Sequence, residues 1–433
     1  MDRFLHWIRS KWTWVTVAAQ TPTVAIRAGA LAALLILAIV LASSSLSVYL
    51  AQSYYPGARI CPEVGCASPT PSPSPSPPPS PSPTPSPSPS PIVAAPPPPP
   101  PPAPPCVAPG GSPAGNISAA FPVALAFAPD GRLFWAERGG TIKVWQNGAA
   151  QNFATVSTVT TQPGGGYSER GLLGLAISPT FAQDRYVYAM YSQPDYAHQT
   201  VVRWTDCAGK GIARTTIVAN LPTGSDCCHK GGRLAFGTDG MLYVTLGDNH
   251  LAAAAQDNCD LRGKILRYRP DGSVPGGNLC GPVFVKGLRN PFGIAISPTG
   301  QIFVTNNGPS GDAGSPLTGY DTVYDVTAGG NYSWPTCYGY SHPLSAPSCA
   351  GSGPLWSSEA STVVPTGATY VSASGPPGYA GHFVFCTFNS GGRIYQGPQS
   401  VTAVLPQCRL DIKESPGHVL FYSDTGTIYR FAG

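Results

Sequence analysis

His229 and Asp248 are the residues whose types and spacing could most directly do chemistry. His229 stands in DCCHKGGRL, a polar, glycine-rich connection ahead of an apolar run, and Asp248, 19 residues later, ends the second strand of the following hairpin in YVTLGDNH. If the two runs pair as a hairpin, a carboxylate at the exit of one strand reaches an imidazole at the entrance of its neighbour. It then fixes the tautomer and leaves the second ring nitrogen to accept a proton. A surface histidine near a turn aspartate reads the same over so short a stretch, so context must decide. Arg289 and Asn290 in VKGLRNPFG offer donors to a carbonyl or carboxylate oxygen of a bound group, with loop carbonyls as the competing partners. In VTNNGPSG the main-chain carbonyls of Gly308 and Pro309 suit a hard cation such as calcium, with Asp312 or Asp321 in support; an ordinary turn is the alternative. Cys227, Cys228 and His229 lack a second ligand pair at finger spacing, which argues against zinc. No G-x-S-x-G elbow, Walker loop or G-x-G-x-x-G strand-to-helix context supports a serine hydrolase, P-loop or nicotinamide enzyme.

The elements that must position these residues repeat. LAFAPDGRLFWAE at 125–137, LAISPTFAQDRYVYAMY at 175–191, LAFGTDGMLYVTLGD at 234–248 and IAISPTGQIFVTNNG at 294–308 each join an apolar strand, a turn signal and a second alternating strand. Their starts fall about 50 to 60 residues apart, the period of propeller blades. GYAGHFVFCTFNSGGRIYQ at 378–396 and GHVLFYSDTGTIYRF at 417–431 continue the pattern. The spacing predicts an all-β, six-bladed β-propeller over 114–433, with a β-sandwich as the competing arrangement of the same hairpins.

Composition sets the surroundings. Fifty Gly and 50 Pro among 433 residues exclude a helical bundle, and 25 Lys plus Arg against 21 Asp plus Glu exclude the basic surface of a dedicated nucleic-acid binder. Residues 1–27 are basic and lead into 28–50, which carries no charge and is long enough to span a bilayer with the N-terminus inside. A cleaved signal peptide is the competing reading; either exports the rest, to a membrane-attached or a secreted fate. Residues 51–113 form a Pro/Ser-rich low-complexity linker, extended in the polyproline manner. Export permits disulfides among the 12 cysteines. If Cys61 pairs with Cys66, Cys106 either clips the end of the spacer to the folded domain or stays free or intermolecular.

From about 121 to 431 the chain resembles the glucose/sorbosone dehydrogenase family. The matching blocks are SERGLLGLAISPTF, HKGGRLAFGTDGMLYVTLGD, LRGKILRYRPDGSVP, GLRNPFGIAISPTG, NNGPSG and GGNYSWP. The resemblance implies a six-bladed propeller holding pyrroloquinoline quinone (PQQ) and Ca2+ near its axis. It implies a sugar or related alcohol or aldehyde as substrate and a separate electron acceptor. It also assigns His229 as general base, Asp248 as the acid orienting it, and Arg289 as the residue polarising the quinone. Asn290, Glu169 and Arg409 would line the cofactor, and Gly308, Pro309 and Asp321 the metal. The pattern departs at SGDAGSPLTGY, which leaves Asp321 and Thr322 where the family has Asp-Glu, and at QCRLDIK, which offers only Arg409 and Lys413 as C-terminal cations. A membrane-tethered, non-catalytic binding propeller and a lactonase-like propeller stand as alternatives.

Overall fold

The computed structural model describes Cys106 and residues 110–311, 318–346, 348–349 and 351–433. The candidate span at 28–50 and most of the linker at 51–113 lie outside the described residues, as does Asp312. Among the described residues no helix is long and apolar enough to cross a membrane.

Three of the repeated hairpins turn through the same device. In Ala128–Arg132, Gly131 adopts φ 89° and its N–H donates to the Ala128 carbonyl at 2.9 Å. Gly240 and Gly300 do the same at φ 72° and 87°, a left-handed backbone that glycine adopts without a Cβ penalty. The hairpin at 175–191 replaces this turn with a helical one, Phe181–Asp184. Each hairpin grows by further antiparallel strands into a four-stranded sheet, and six such sheets form the described domain.

The first strand of each sheet lies innermost: Pro122–Phe127, Leu172–Ile177, Leu234–Phe236, Asn290–Ile296, Pro365–Tyr370 and Ile412–Glu414. Each contacts the next, and the sixth contacts the first, so the ring closes. A six-bladed β-propeller results, and the sandwich alternative falls because no two sheets cover each other as whole layers. The last blade takes its outermost strand from the N-terminal side, Ile117–Ser118 pairing antiparallel with Thr427–Phe431.

Burial follows from this ring. The inner strands Pro122–Phe127 and Leu172–Ile177 are almost wholly buried, whereas the outermost strand of the second blade, Lys210–Pro222, is mostly exposed. Six apolar clusters sit one between each pair of successive blades, as with Phe134, Phe153, Val187 and Trp204 between the first and second. No blade can bury both faces alone, so the neighbours complete each core.

Near the axis, Asp411 replaces apolar packing with charge. Its Oδ2 accepts from Leu125 N–H at 2.8 Å and from Arg233 Nη1 at 3.4 Å, and its Oδ1 accepts from Lys413 Nζ at 3.0 Å. Arg233 also donates to the Phe292 and Leu410 carbonyls, so one buried guanidinium links the third, fourth and sixth blades. Disulfides add covalent ties. Cys106 pairs with Cys207, which settles its two sequence readings in favour of the clip. Cys259–Cys280, Cys337–Cys349 and Cys386–Cys408 tie hairpins and loops. The fifth pair is vicinal, Cys227–Cys228.

Candidate active site

Antiparallel pairing places the start of every inner strand beside the end of the second strand, so both kinds of residue emerge on one face. Asn290 pairs with Asn307 and Pro122 with Glu137 in this way. His229 precedes the inner strand of the third blade, and Asp248 follows its second strand, Leu242–Leu246. They meet because residue 247 is glycine: a Cβ there would lie 2.0 Å from the His229 carbonyl oxygen.

His229 Nδ1 and Asp248 Oδ1 are 2.6 Å apart, with both side chains buried. The other carboxylate oxygen accepts from Trp334 Nε1 at 2.7 Å, and the His250 N–H donates to Oδ1 at 3.0 Å. With the carboxylate acting only as acceptor, Nδ1 carries the proton and Nε2 is left as the basic atom. The His250 ring stacks on His229 with centroids 4.0 Å apart. Burial, then the neighbouring His229, pushes the His250 imidazole below its ordinary value. His229, Asn249 and His250 all adopt positive φ, between 52° and 62°, a concentration of costly backbone typical of functional sites.

Arg289 and Asn290 open the inner strand of the fourth blade. Both main-chain N–H groups donate to Asn306 Oδ1 at 3.0 Å, and Arg289 Nη1 donates to the Asn307 carbonyl at 3.3 Å. The guanidinium lies 5.6 Å from the Trp334 ring centre, so Trp334 contacts both Arg289 and Asp248. Asn290 Oδ1 accepts from Gly231 N–H, while its Nδ2 donates to Asn307 Oδ1 and Glu169 Oε2, both at 3.1 Å. Glu169 Oε2 also accepts from Lys230 N–H at 3.2 Å, which joins the second, third and fourth blades.

Glu169 and Asn307 face a cavity of about 400 Å³ whose wall is otherwise largely aromatic and aliphatic, including Phe121, Phe292, Phe388 and Leu410. Arg138 lines it too, its guanidinium held by the carbonyls of Arg170, Thr160 and Ser168. Arg409 is exposed and outside the lining, and it donates to the carbonyl of the lining residue Phe388 at 2.9 Å. Lys413, the other C-terminal cation, is committed to Asp411 and to the Ala368 and Ile412 carbonyls. Gly308 has its N–H on Asp321 Oδ1 at 2.9 Å, and Asp321 Oδ2 accepts from Val363 and Val364 N–H at 2.8 and 2.9 Å. Asp321 therefore uses its carboxylate on three main-chain donors and fixes the loop bearing Gly308 and Pro309. Among the described residues, the one His/Cys/Asp/Glu group close enough to share a cation is Cys227, Cys228 and His250, and its two sulfurs are bonded to each other.

Trp334, His250, Arg138 and Lys230 are site residues that the sequence reading did not single out in these roles. The GGNYSWP block contained the signal for Trp334, and Lys230 and His250 adjoin His229 and Asp248 on the same hairpin; Arg138 comes from the first blade and reaches the cavity only as the ring closes. Lys230 is fully buried beside the base, its Nζ donating to the Thr223 carbonyl at 2.5 Å and Asn249 Oδ1 at 2.9 Å. Burial, then the charge of Arg170, pushes its amine down to about 7. An unfolded lysine has its ordinary value of 10.5, so between pH 7 and 10.5 the unfolded chain holds one more proton than the native one. Unfolding free energy should therefore rise with pH across this window, by about 1.4 kcal/mol per unit from this group. In urea titrations at pH 7.5 and 9.5, Lys230→Met should flatten that rise; an unchanged slope would show the amine to be charged when buried.

The fold and site together define a six-bladed β-propeller with a buried histidine–aspartate pair on its strand-end face. The family model for glucose/sorbosone dehydrogenase matches residues 119–392, and the chain belongs to that family. It is 29% identical over 256 residues to quinoprotein glucose dehydrogenase B of Acinetobacter calcoaceticus, covering 51% of this chain and 51% of that one. It is 32% identical over 228 residues to the aldose sugar dehydrogenase of Escherichia coli, covering 49% of this chain and 58% of the relative. The chain thus spans about half the length of the curated relatives it matches. Among solved structures, a glucose dehydrogenase-type oxidoreductase from Thermus thermophilus superposes with TM-score 0.62 at 28% identity, covering 73% of this chain and 99% of that one.

Proposed function

We propose that the propeller is a PQQ- and calcium-dependent dehydrogenase that oxidises a CH–OH group of an aldose or related compound outside the cytoplasm. The observation carrying this is the buried run His229–Asp248–Trp334 beside Arg289, linked through Asn290 to Glu169 and Asn307 in the lining of a cavity that also holds Arg138. Its donor set fits a flat, oxygen-rich, carboxylated ring. Arg138 in the wall and Arg409 beside Phe388 are the cations for carboxylates, Asn307 lies in the lining with Asn290 bonded behind it, and aromatic side chains offer flat surfaces. Glu169 would accept from a hydroxyl or N–H and keeps Asn290 turned inward.

The quinone would supply the two-electron acceptor, and the calcium would polarise it. The carbonyls of Gly308 and Pro309 would hold the ion, with Asp321 serving through the loop it fixes. His229 Nε2 takes the substrate hydroxyl proton, Asp248 holds Nδ1–H and stabilises the imidazolium, and Trp334 keeps Asp248 from rotating. Arg289, placed against Trp334, directs positive charge to where negative charge develops.

The disulfides support an oxidising compartment. In this reading, 1–27 is cytoplasmic, 28–50 is the anchor or signal, 51–113 is the spacer and 114–433 is the catalytic unit. The partners are a sugar and an electron acceptor. The test is titration of the purified full chain with PQQ and Ca2+, followed spectroscopically as aldoses are added. Stoichiometric binding with sugar-dependent quinone reduction is expected. A folded chain that binds no quinone would leave the non-catalytic propeller instead.

A further inference from the structure

The vicinal pair differs from the other disulfides in what it can stabilise. Cys106–Cys207, Cys259–Cys280, Cys337–Cys349 and Cys386–Cys408 bridge separations of 101, 21, 12 and 22 residues and so restrict the unfolded chain. Cys227–Cys228 has a separation of 1 and closes no chain loop. Its effect must be local, on the peptide it rigidifies.

That peptide belongs to a clamp around the base. The Cys227 carbonyl accepts from Glu169 N–H and Ser168 Oγ, both at 2.9 Å. Three residues on, Lys230 N–H returns to Glu169 Oε2 at 3.2 Å. Both ends of the segment 227–230 are thus pinned to one residue of the second blade. Between them lie the disulfide ring and His229, held at φ 58°. His250, stacked on His229, has a ring nitrogen within 4.8 Å of both sulfurs. Both cysteines are only half-buried, whereas Cys386 and Cys408 are wholly buried, so a reductant in solution has access to the vicinal pair.

We propose that Cys227–Cys228 is a thiol–disulfide exchange site whose reactant is a small or protein dithiol, and that opening it releases the clamp presenting His229 and Glu169. A thiolate of the reductant attacks one sulfur, and the Cys227–Cys228 bond breaks as the mixed disulfide forms. The reductant's second thiolate then closes its own disulfide. Two electrons and two protons pass from the dithiol to the protein, giving two cysteine thiols and one oxidised reductant. The freed peptide rotates, and the imidazole loses its fixed relation to Asp248. The effect on turnover rests on the dehydrogenase reading; the exchange and the movement of His229 do not.

The full chain is therefore treated with graded dithiothreitol, alkylated and mapped by peptide mass, with histidine imidazole signals followed by NMR in parallel. Cys227 and Cys228 should be labelled at reductant levels that leave Cys386–Cys408 intact, and the His229 signal should move with the labelling. Proton abstraction should fall on the order of 10²-fold with KM nearly constant, and reoxidation should restore it. Cys227→Ser combined with Cys228→Ser should reproduce the shifted His229 signal in a folded chain. The proposal is overturned if the vicinal pair is reduced no sooner than Cys386–Cys408, or if it is reduced with the His229 signal unmoved. A chain without sugar turnover would refute the dehydrogenase and leave the labelling and NMR outcomes decisive for the exchange site.

Discussion

His229→Ala is expected to lower kcat for sugar-dependent quinone reduction by about 10²- to 10⁴-fold, with quinone affinity nearly unchanged. The imidazole is the group whose free nitrogen is set up by the fold: Asp248 takes Nδ1 at 2.6 Å and is itself held by Trp334 at 2.7 Å. Removing the ring deletes the proton acceptor and spares Arg289, Asn290 and the cavity wall, which hold the cofactor in the proposed site. Stopped-flow absorbance of the bound quinone on mixing with aldose separates the two quantities. Wild-type reduction rates in this variant would dismiss His229 as base, and lost quinone binding would make it a cofactor ligand.

Asp411→Ala should be the most destabilising single change, by about 3–5 kcal/mol. The carboxylate faces Arg233, Lys413 and the Leu125 amide, and Arg233 is itself buried. Burial pushes the Arg233 guanidinium down, and Asp411 opposes this, so deletion leaves a buried cation with main-chain carbonyls alone. The cost falls on the axis, where blades one, three, four and six meet through these bonds. Thermal unfolding should shift down by at least ~6 °C. A shift of under ~2 °C would mean that water or rearranged carbonyls satisfy Arg233 as well as the carboxylate does.

Local grammar made much of the fold legible. The Asp-Gly and Thr-Gly turns occur where the hairpins turn, and the regular spacing of those hairpins became the ring of inner strands. The His229–Asp248 pair was readable for the same reason, since both residues flank one hairpin whose register is set by its alternation. Trp334 was not assigned a role, because its 86-residue separation from Asp248 is crossed only when the third and fourth blades pack. Arg138 likewise reaches the cavity from the first blade, where no neighbouring motif names it. For Asp321, residue type beside a Gly-Pro loop suggests calcium, while the three backbone amides from two loops that it also accepts from become visible only in the fold. The closing strand Ile117–Ser118 is too short to show alternation, and only its pairing with Thr427–Phe431 reveals it.

The Cys106–Cys207 bond has a mechanical consequence. Were the chain before residue 106 pulled, the bond would deliver that force to the hairpin between the third and fourth strands of the second blade. The Arg185 guanidinium, 2.6 Å from the Cys106 carbonyl, braces the same point. Ile117–Ser118, with two residues of pairing, would peel under a small force, but it lies downstream of the covalent junction and stays slack. Such a load would run into the long ladder of the second blade and spare the seam that closes the ring.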